Sequence, residues 1–385
     1  MRLAPFLALL PFTLAAPAKR SEPAPLLKPR DGTPIEGKYI VKLADGMKIS
    51  SVSSVVVTGA ADKADHKFSN VFHGFSGSMT DQDVEALRND PAVEYIEQDA
   101  VYTAGGFKTQ TDATWGLARL SNTNPGSTKY TYDSTAGQGV CAYVIDTGIY
   151  TNHREFEGRA SFLANYVTNS NTDDHGHGTH VAGTIGSRAY GVAKQVKLFA
   201  VKVLDSNMRG TTSQILAGMN FALNDSKTRK GCPRGFVVNM SVGGPKSTAF
   251  DTAARNIVNA GLFMGAAAMN DATDASNISP ASEPSVCTVG ATTSNDRLAS
   301  FSNYGKALDL LAPGDSITST WNNGGWRVYS GTSMATPHVV GLAAYFMGLG
   351  RSASGLCAYM ASKSLSNRIS GVPSGTVNLL IHNNA

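Results

Sequence analysis

Charged side chains are scarce in this chain. Asp, Glu, Lys and Arg make up 16% of its 385 residues, against roughly 25% in an ordinary soluble protein, so the surface is expected to be rich in Ser, Thr and Asn. The net charge of +4 is too weak to argue for nucleic acid or an anionic membrane surface as a partner, and neither is expected. Cysteine is scarce too. Cys141, Cys232, Cys287 and Cys357 lie far apart, with no C-x-x-C pair of the kind that builds a zinc or redox site. Beyond the first residues no run approaches the ~20 apolar residues that a membrane span requires. D-T-G occurs once, at 146–148, with no second D-T-G or D-S-G, whereas an aspartic protease needs two carboxylates sharing a proton.

What is present begins with MRLAPFLALLPFTLAAPA, one Arg followed by an apolar run that ends in small residues. It reads as a secretory signal over residues 1–16, with cleavage after Ala16 or Ala18, and Pro5 and Pro11 argue against a stable helix there. The protein is expected to be extracellular, with no membrane partner once the signal is removed. In an oxidising compartment four cysteines imply two disulfides, and sequence alone leaves three pairings open.

The length suggests two or three units. A Pro-rich polar link over 17–36 leads to KYIVKL (38–43), a strand, and then to the strand-like NVFHGFSGSM (70–79). DQDVEALRND reads as a short amphipathic helix stopped by Pro91, before a strand through Val93, Tyr95 and Ile96. This predicts a compact α+β unit over about 36–104. VYTAGGFKTQ (101–110), with paired glycines, reads as an exposed linker open to proteolysis. Residues 107–385 then behave as one large unit. Apolar runs at 140–146, 197–204, 235–242, 261–267 and 285–291 alternate with helical stretches at 212–225 and 250–261. The pattern predicts an α/β fold with a parallel sheet covered by helices on both faces, its polar groups gathered at the carboxyl ends of the strands.

Three motifs fall at such ends. CAYVIDTGI puts Asp146 just after an apolar strand, where a lone Asp commonly only opens a turn. DDHGHGTHVAGT packs His175, His177 and His180 into six positions. A zinc reading of that cluster lacks the H-E-x-x-H pattern, and Asp173 and Asp174 read as caps of the following turn. His177 is the one histidine flanked by glycines on both sides. GTSMATPHVVGLAAY places Ser333 at the start of an apolar helix with Pro337 in its first turn. There, free N–H groups favour developing negative charge, although an isolated Ser could equally be a plain N-cap.

Taken together, DTGI, HGTHVAGT, VKVLD, SPASEPSVCTVGA, FSNYG, GTSMATPH and GTVNLL resemble the subtilisin family of serine proteases, in its proteinase K branch, over residues 115–381. The order Asp, His, Ser is that of subtilisin. The resemblance implies a broad-specificity endopeptidase acting as a monomer on protein and peptide substrates, with Asp146 orienting His177, His177 as base and Ser333 as nucleophile. His175 and His180 would be bystanders. Asn270 would donate to the oxyanion, and substrate would pair as an added strand along Ser241, Val242, Gly243 and Gly210, with Ala267, Ala268 and Met269 lining the pocket. The resemblance also implies disulfides Cys141–Cys232 and Cys287–Cys357, and structural calcium held by the carbonyls of Pro284 and Val286 with the carboxylate of Asp309. The family's second calcium site finds no acidic partner near 360–364.

More loosely, residues 36–104 resemble the inhibitor prodomain of these enzymes, a ferredoxin-like unit. This implies a propeptide over 17–106 that inhibits its own chain, cleavage near Gly106, and a mature protein starting at Phe107 or Lys108. The chain departs from the family in two places. Met269 stands where Gly usually precedes the oxyanion Asn, which predicts reduced activity or a smaller accepted side chain; a binding protein without turnover is the alternative. Met208 and Arg209 replace small residues in the outer substrate edge. Sequons occur at Asn224, Asn239 and Asn277, with Asn239 on an apolar strand and so discounted.

Overall fold

Alternation along each strand decides which side chains are buried. In the N-terminal unit Val41 and Leu43 are wholly inside, while Lys42 between them reaches out to Asp45 and Glu94, the two-residue period of a half-buried strand. The computed structural model describes residues 22–29, 33–52, 54–101, 106–167 and 169–385; the expected signal and positions 102–105 of the expected linker lie outside these.

The N-terminal unit runs β1 (Leu26–Leu27), β2 (Thr33–Leu43), α1 (Val55–Asp62), β3 (His66–Phe68), β4 (Gly74–Ser78), α2 (Asp81–Arg88) and β5 (Val93–Val101). Sheet order is β1-β5-β2-β4-β3, and without the short edge strand β1 this is the ferredoxin-like arrangement. Val57 and Ala61 of α1 and Val84 and Leu87 of α2 supply the helical side of its core. Two expectations are corrected. The compact unit starts before residue 36: Ala24 is buried, its carbonyl accepts from Arg88 Nε at 2.9 Å, and β1 extends the sheet alongside β5. The strand expected over 70–79 is confined to β4, with bends before it.

The second unit is set off at Thr103/Ala104, three residues before the expected boundary. It contains β6 (Phe107–Gln110), α3 (Trp115–Arg119), β7 (Tyr130–Asp133), β8 (Cys141–Asp146), β9 (Ala160–Asn165), α4 (His177–Gly186), β10 (Lys197–Lys202), α5 (Thr212–Ser226) and β11 (Phe236–Met240). It continues through β12 (Gly244–Pro245), α6 (Thr248–Asn259), β13 (Phe263–Ala267), β14 (Ile278–Ser279), β15 (Cys287–Thr292), β16 (Leu310–Pro313), β17 (Ile317–Thr320), β18 (Trp326–Tyr329), α7 (Thr332–Gly348), α8 (Leu356–Lys363), β19 (Leu365–Ser366) and β20 (Leu379–Leu380).

Nine strands form the central sheet in the order β19-β20-β16-β15-β13-β11-β8-β10-β9, parallel except for the β19–β20 edge. Along β8, Ala142 and Val144 join the core made with α4 and α7. Tyr143 and Ile145 join the opposite core, made with α5 and α6. Helices on both faces explain why the strands read as unbroken apolar runs. Every residue of α7 is buried, including its first turn, so Ser333 starts from a helix fixed on all sides. The disulfides Cys141–Cys232 and Cys287–Cys357 are formed, the pairing that the resemblance implied. Among the described residues no helix is long and apolar enough to cross a membrane.

Candidate active site

Four parallel neighbours, β10, β8, β11 and β13, end at the same edge of the sheet. Asp146 is the last residue of β8 and wholly buried. Its Oδ1 accepts from the Thr147 amide at 2.7 Å and pairs with His177 Nδ1 at 2.7 Å. His177 opens α4 and is 2% exposed. The pair can form because Gly178 has no side chain: a Cβ there would lie 2.1 Å from the Gly148 carbonyl oxygen and 3.2 Å from Asp146 Cβ, so any larger residue would push the helix off the strand end.

Two acids brace the approach to α4. Asp173 is buried and accepts from Thr147 Oγ1 and from the amides of His175 and Gly176 through Oδ1, and from the Thr179 amide and hydroxyl through Oδ2. It caps the turn, as the sequence suggested, and also ties that turn to the strand carrying Asp146. Asp174 does something else. It pairs at 2.7 Å with Lys202, whose fully buried ammonium also donates to the carbonyls of Thr147 at 2.6 Å and Leu204 at 2.8 Å. Three donors meet three acceptors, so a buried cation is fully satisfied. Sequence reasoning passed over Lys202; its only signal was a Lys ending an apolar strand.

The three histidines separate by environment. Burial disfavours a charged His177, but the charge and hydrogen bond of Asp146, with Asp173 beyond, outweigh it and hold the pKa above the ordinary 6.5. Burial pushes His180 down to about 4, and its Nε2 lies 3.0 Å from the Ile317 carbonyl oxygen. His175 is half-buried and also lowered by desolvation and by its neighbour His177. One imidazole is therefore built to take a proton, and two are not.

Ser333 is 9% exposed, and its hydroxyl donates to the Ser241 carbonyl at 3.2 Å, not to His177. Tyr329, four residues earlier, sets its ring edge-on to the His177 imidazole with 6.4 Å between centroids. Asn270 follows β13 by three residues. Its Oδ1 accepts from the Thr332 amide at 2.8 Å and the Thr332 hydroxyl at 3.1 Å, which leaves Nδ2 without a partner among the described residues. The Ser333 amide, at the second position of α7, likewise has no intrahelical partner. Met269 adopts φ +76°, the left-handed conformation that favours Gly and the one the family's Gly would supply.

Ser241, Val242 and Gly243 run on from β11, and Ala267 and Ala268 are wholly buried at the end of β13. Gly210 precedes the Thr211 cap of α5. Met208, at φ +59°, sits in a turn shaped by the Asp205 carboxylate, which accepts from the amides of Asn207 and Arg209. Elsewhere Pro284, Val286 and Asp309 border a cavity of about 760 Å³. Cys287 and Cys357 lie near Asp309, but both sulfurs are in the disulfide and offer no thiolate. Asn239 is buried, donating to Ser241 Oγ at 2.9 Å, which removes its sequon; Asn224 and Asn277 are exposed.

A doubly covered parallel sheet with an Asp–His pair at one strand end and a serine on an adjoining buried helix defines a serine peptidase of the subtilisin-like class. The comparisons agree. The Subtilase family matches residues 137–356 and Peptidase inhibitor I9 matches residues 38–104. The chain is 50% identical to a cuticle-degrading protease of Metarhizium anisopliae, with 100% of both chains covered. It is 59% identical to Proteinase T of Parengyodontium album over 75% of this chain and 98% of that protein. A solved cold-adapted subtilisin-like serine proteinase superposes with a TM-score of 0.66 at 42% identity, covering 71% of this chain and 99% of that one. The chain belongs to the Subtilase family, and it is a serine endopeptidase carrying an I9 inhibitor domain.

Side-chain nitrogen NMR across a pH series checks the site's electrostatics. His177 is expected to titrate above 6.5 while His180 stays neutral down to about 4. A His177 titrating below 6.5 would show that Asp146 does not control it.

Proposed function

We propose that this chain is a secreted, monomeric endopeptidase in which Asp146, His177 and Ser333 form the catalytic triad, made as a precursor held inactive by its own I9 domain. The Asp146–His177 bond, buried at a strand end, carries the reading. The carboxylate fixes the imidazole with Nδ1 as donor, leaving Nε2 as the base. Once the Ser333 hydroxyl turns from Ser241 to His177, it gives its proton to Nε2 as Oγ bonds to the peptide carbonyl carbon. The resulting oxyanion would accept from Asn270 Nδ2 and the Ser333 amide, a contribution worth roughly 2.7–4 kcal/mol per side-chain donor in a subtilisin. The carbon–nitrogen bond then breaks as His177 protonates the leaving amine. Water, deprotonated by the same imidazole, hydrolyses the acyl-enzyme. Main-chain pairing along 240–244 and 206–212 would bind peptides with little demand on outer side chains, and cleavage near Gly106 would free the mature chain.

Calcium fits the Pro284, Val286 and Asp309 site. Burial pushes the Asp309 carboxyl up to about 6, its one hydrogen bond comes from the Thr288 amide, and no basic side chain among the described residues pairs with it. A carboxylate with no basic partner, lining the same cavity as Pro284 and Val286, supplies a hard oxygen donor of the kind calcium takes. Bound there, the ion would supply charge neutralisation and cross-link the surrounding chain.

Incubating the mature protein with a phosphonyl fluoride is expected to label Ser333 stoichiometrically by mass spectrometry. Ser333→Ala is expected to lose the label and about a million-fold in kcat, the size of the loss in subtilisin. An unlabelled wild type would favour the binding-protein alternative. Chelation is expected to lower Tm by roughly 5–10 °C and to leave the Tm of Asp309→Asn unmoved; an equal drop in both would remove calcium from this site.

A further inference from the structure

Two segments leave the sheet side by side next to Ser333. β11 and β13 are parallel neighbours with Met240 opposite Ala266, so residues 241–243 and 267–269 run on from adjacent strand ends. The first is fastened to the serine: Ser241 Oγ donates to the Ser333 carbonyl at 2.9 Å, and the Ser333 hydroxyl donates back to the Ser241 carbonyl. The second is fastened to the same helix start through Asn270 and Thr332. A peptide carbonyl lying between Ser333 and Asn270 must therefore send the side chain of its own residue, P1, into the gap between these segments.

Met269 crosses that gap. Its amide donates to Thr332 Oγ1 at 3.1 Å and its carbonyl accepts from the Asn303 amide at 2.9 Å, so its backbone is pinned on both sides in the left-handed conformation. From there the thioether reaches the opposite wall. A methyl group placed on Gly243 would lie 3.1 Å from Met269 Sδ and 3.4 Å from its Cγ, and 3.0 Å from the Ser279 carbonyl oxygen behind. The deeper wall is Ala267 and Ala268, both wholly buried, with no side chain able to retreat. The space is lined for small groups, and one flexible apolar side chain occupies it.

Resting on the triad reading above, we propose that Met269 fills the P1 pocket and makes peptides with Gly, Ala or Ser at P1 the substrates of this enzyme, excluding large apolar and aromatic residues. A bulky P1 side chain would have to displace the thioether from a pinned backbone, an overpacking penalty that corresponds to roughly 10–100-fold in kcat/KM.

The test uses mature enzyme and peptide anilides that differ only at P1, with Ala, Leu or Phe. Wild type is expected to favour Ala over Phe by roughly tenfold or more, and Met269→Gly to raise the Phe-to-Ala ratio by about 10–100-fold. Met269→Ala, which keeps a Cβ, should fall between and serves if the Gly variant does not fold. A wild type that cleaves Phe as readily as Ala, or a ratio unmoved in both variants, overturns the proposal. Phosphonyl fluoride labelling of the wild type keeps the two failures apart: labelled enzyme without P1 discrimination defeats this inference alone, and unlabelled enzyme defeats the triad reading beneath it.

Discussion

A buried carboxylate and a buried imidazole held 2.7 Å apart set the terms for everything else in the second unit. Burying a charge is costly unless it is met by hydrogen bonds, and those of Asp146 gather on one oxygen, Oδ1, while Oδ2 is buried without a partner among the described residues. The Thr147 amide and His177 Nδ1 converge on Oδ1. Gly178 lets the helix come close enough for the second of these. Asp173 and Lys202 then stop the two elements from moving apart, one by gathering five donors from Thr147 after the strand, the turn and the helix, the other by bridging three chain segments with a single ammonium. A proton acceptor that is both buried and raised in pKa follows from this bracing, because neither burial nor the carboxylate alone would give it.

Much of the scaffold was legible from residues. β8, β10, β11, β13 and β15 fall within the expected apolar runs or within one residue of them, since a strand covered on both faces must be apolar throughout. α5 and α6 likewise lie within two residues of their expected spans, and α7 starts beside Ser333 as expected. Less was legible where local composition and tertiary demand disagree. Val55, Val56 and Val57 are β-branched residues that favour strands, yet they open α1, where Val57 and Ala61 pack in the core of the unit; no element was expected there. Leu26 and Leu27 sit in a Pro-rich stretch and become strand only by pairing with β5. The bonds that join Thr147 to Asp173 and to Lys202, and Lys202 to Asp174, link segments 26 to 55 residues apart, which no local pattern encodes. The disulfide pairing came from the resemblance, because four spaced cysteines do not choose among three pairings.

The site also shows where this chain differs from its family's usual pattern. Met269 occupies a position whose backbone geometry suits Gly, a strain of order 1–3 kcal/mol. Thr332 and Asn303 hold it there through their hydrogen bonds. Since the amide and hydroxyl of Thr332 also hold the Asn270 carbonyl oxygen, Asn270 is tied to the start of α7 beside Met269.

The central claim is that Asp146 makes His177 an effective base through its charge and by fixing its tautomer, and Asp146→Asn isolates that contribution with little change in shape. Steady-state kinetics of the mature variant are expected to show kcat lower by about 10⁴-fold with KM within a few-fold of wild type. A loss of less than tenfold in kcat would mean that the imidazole does not depend on this carboxylate, and the account of the site would be wrong.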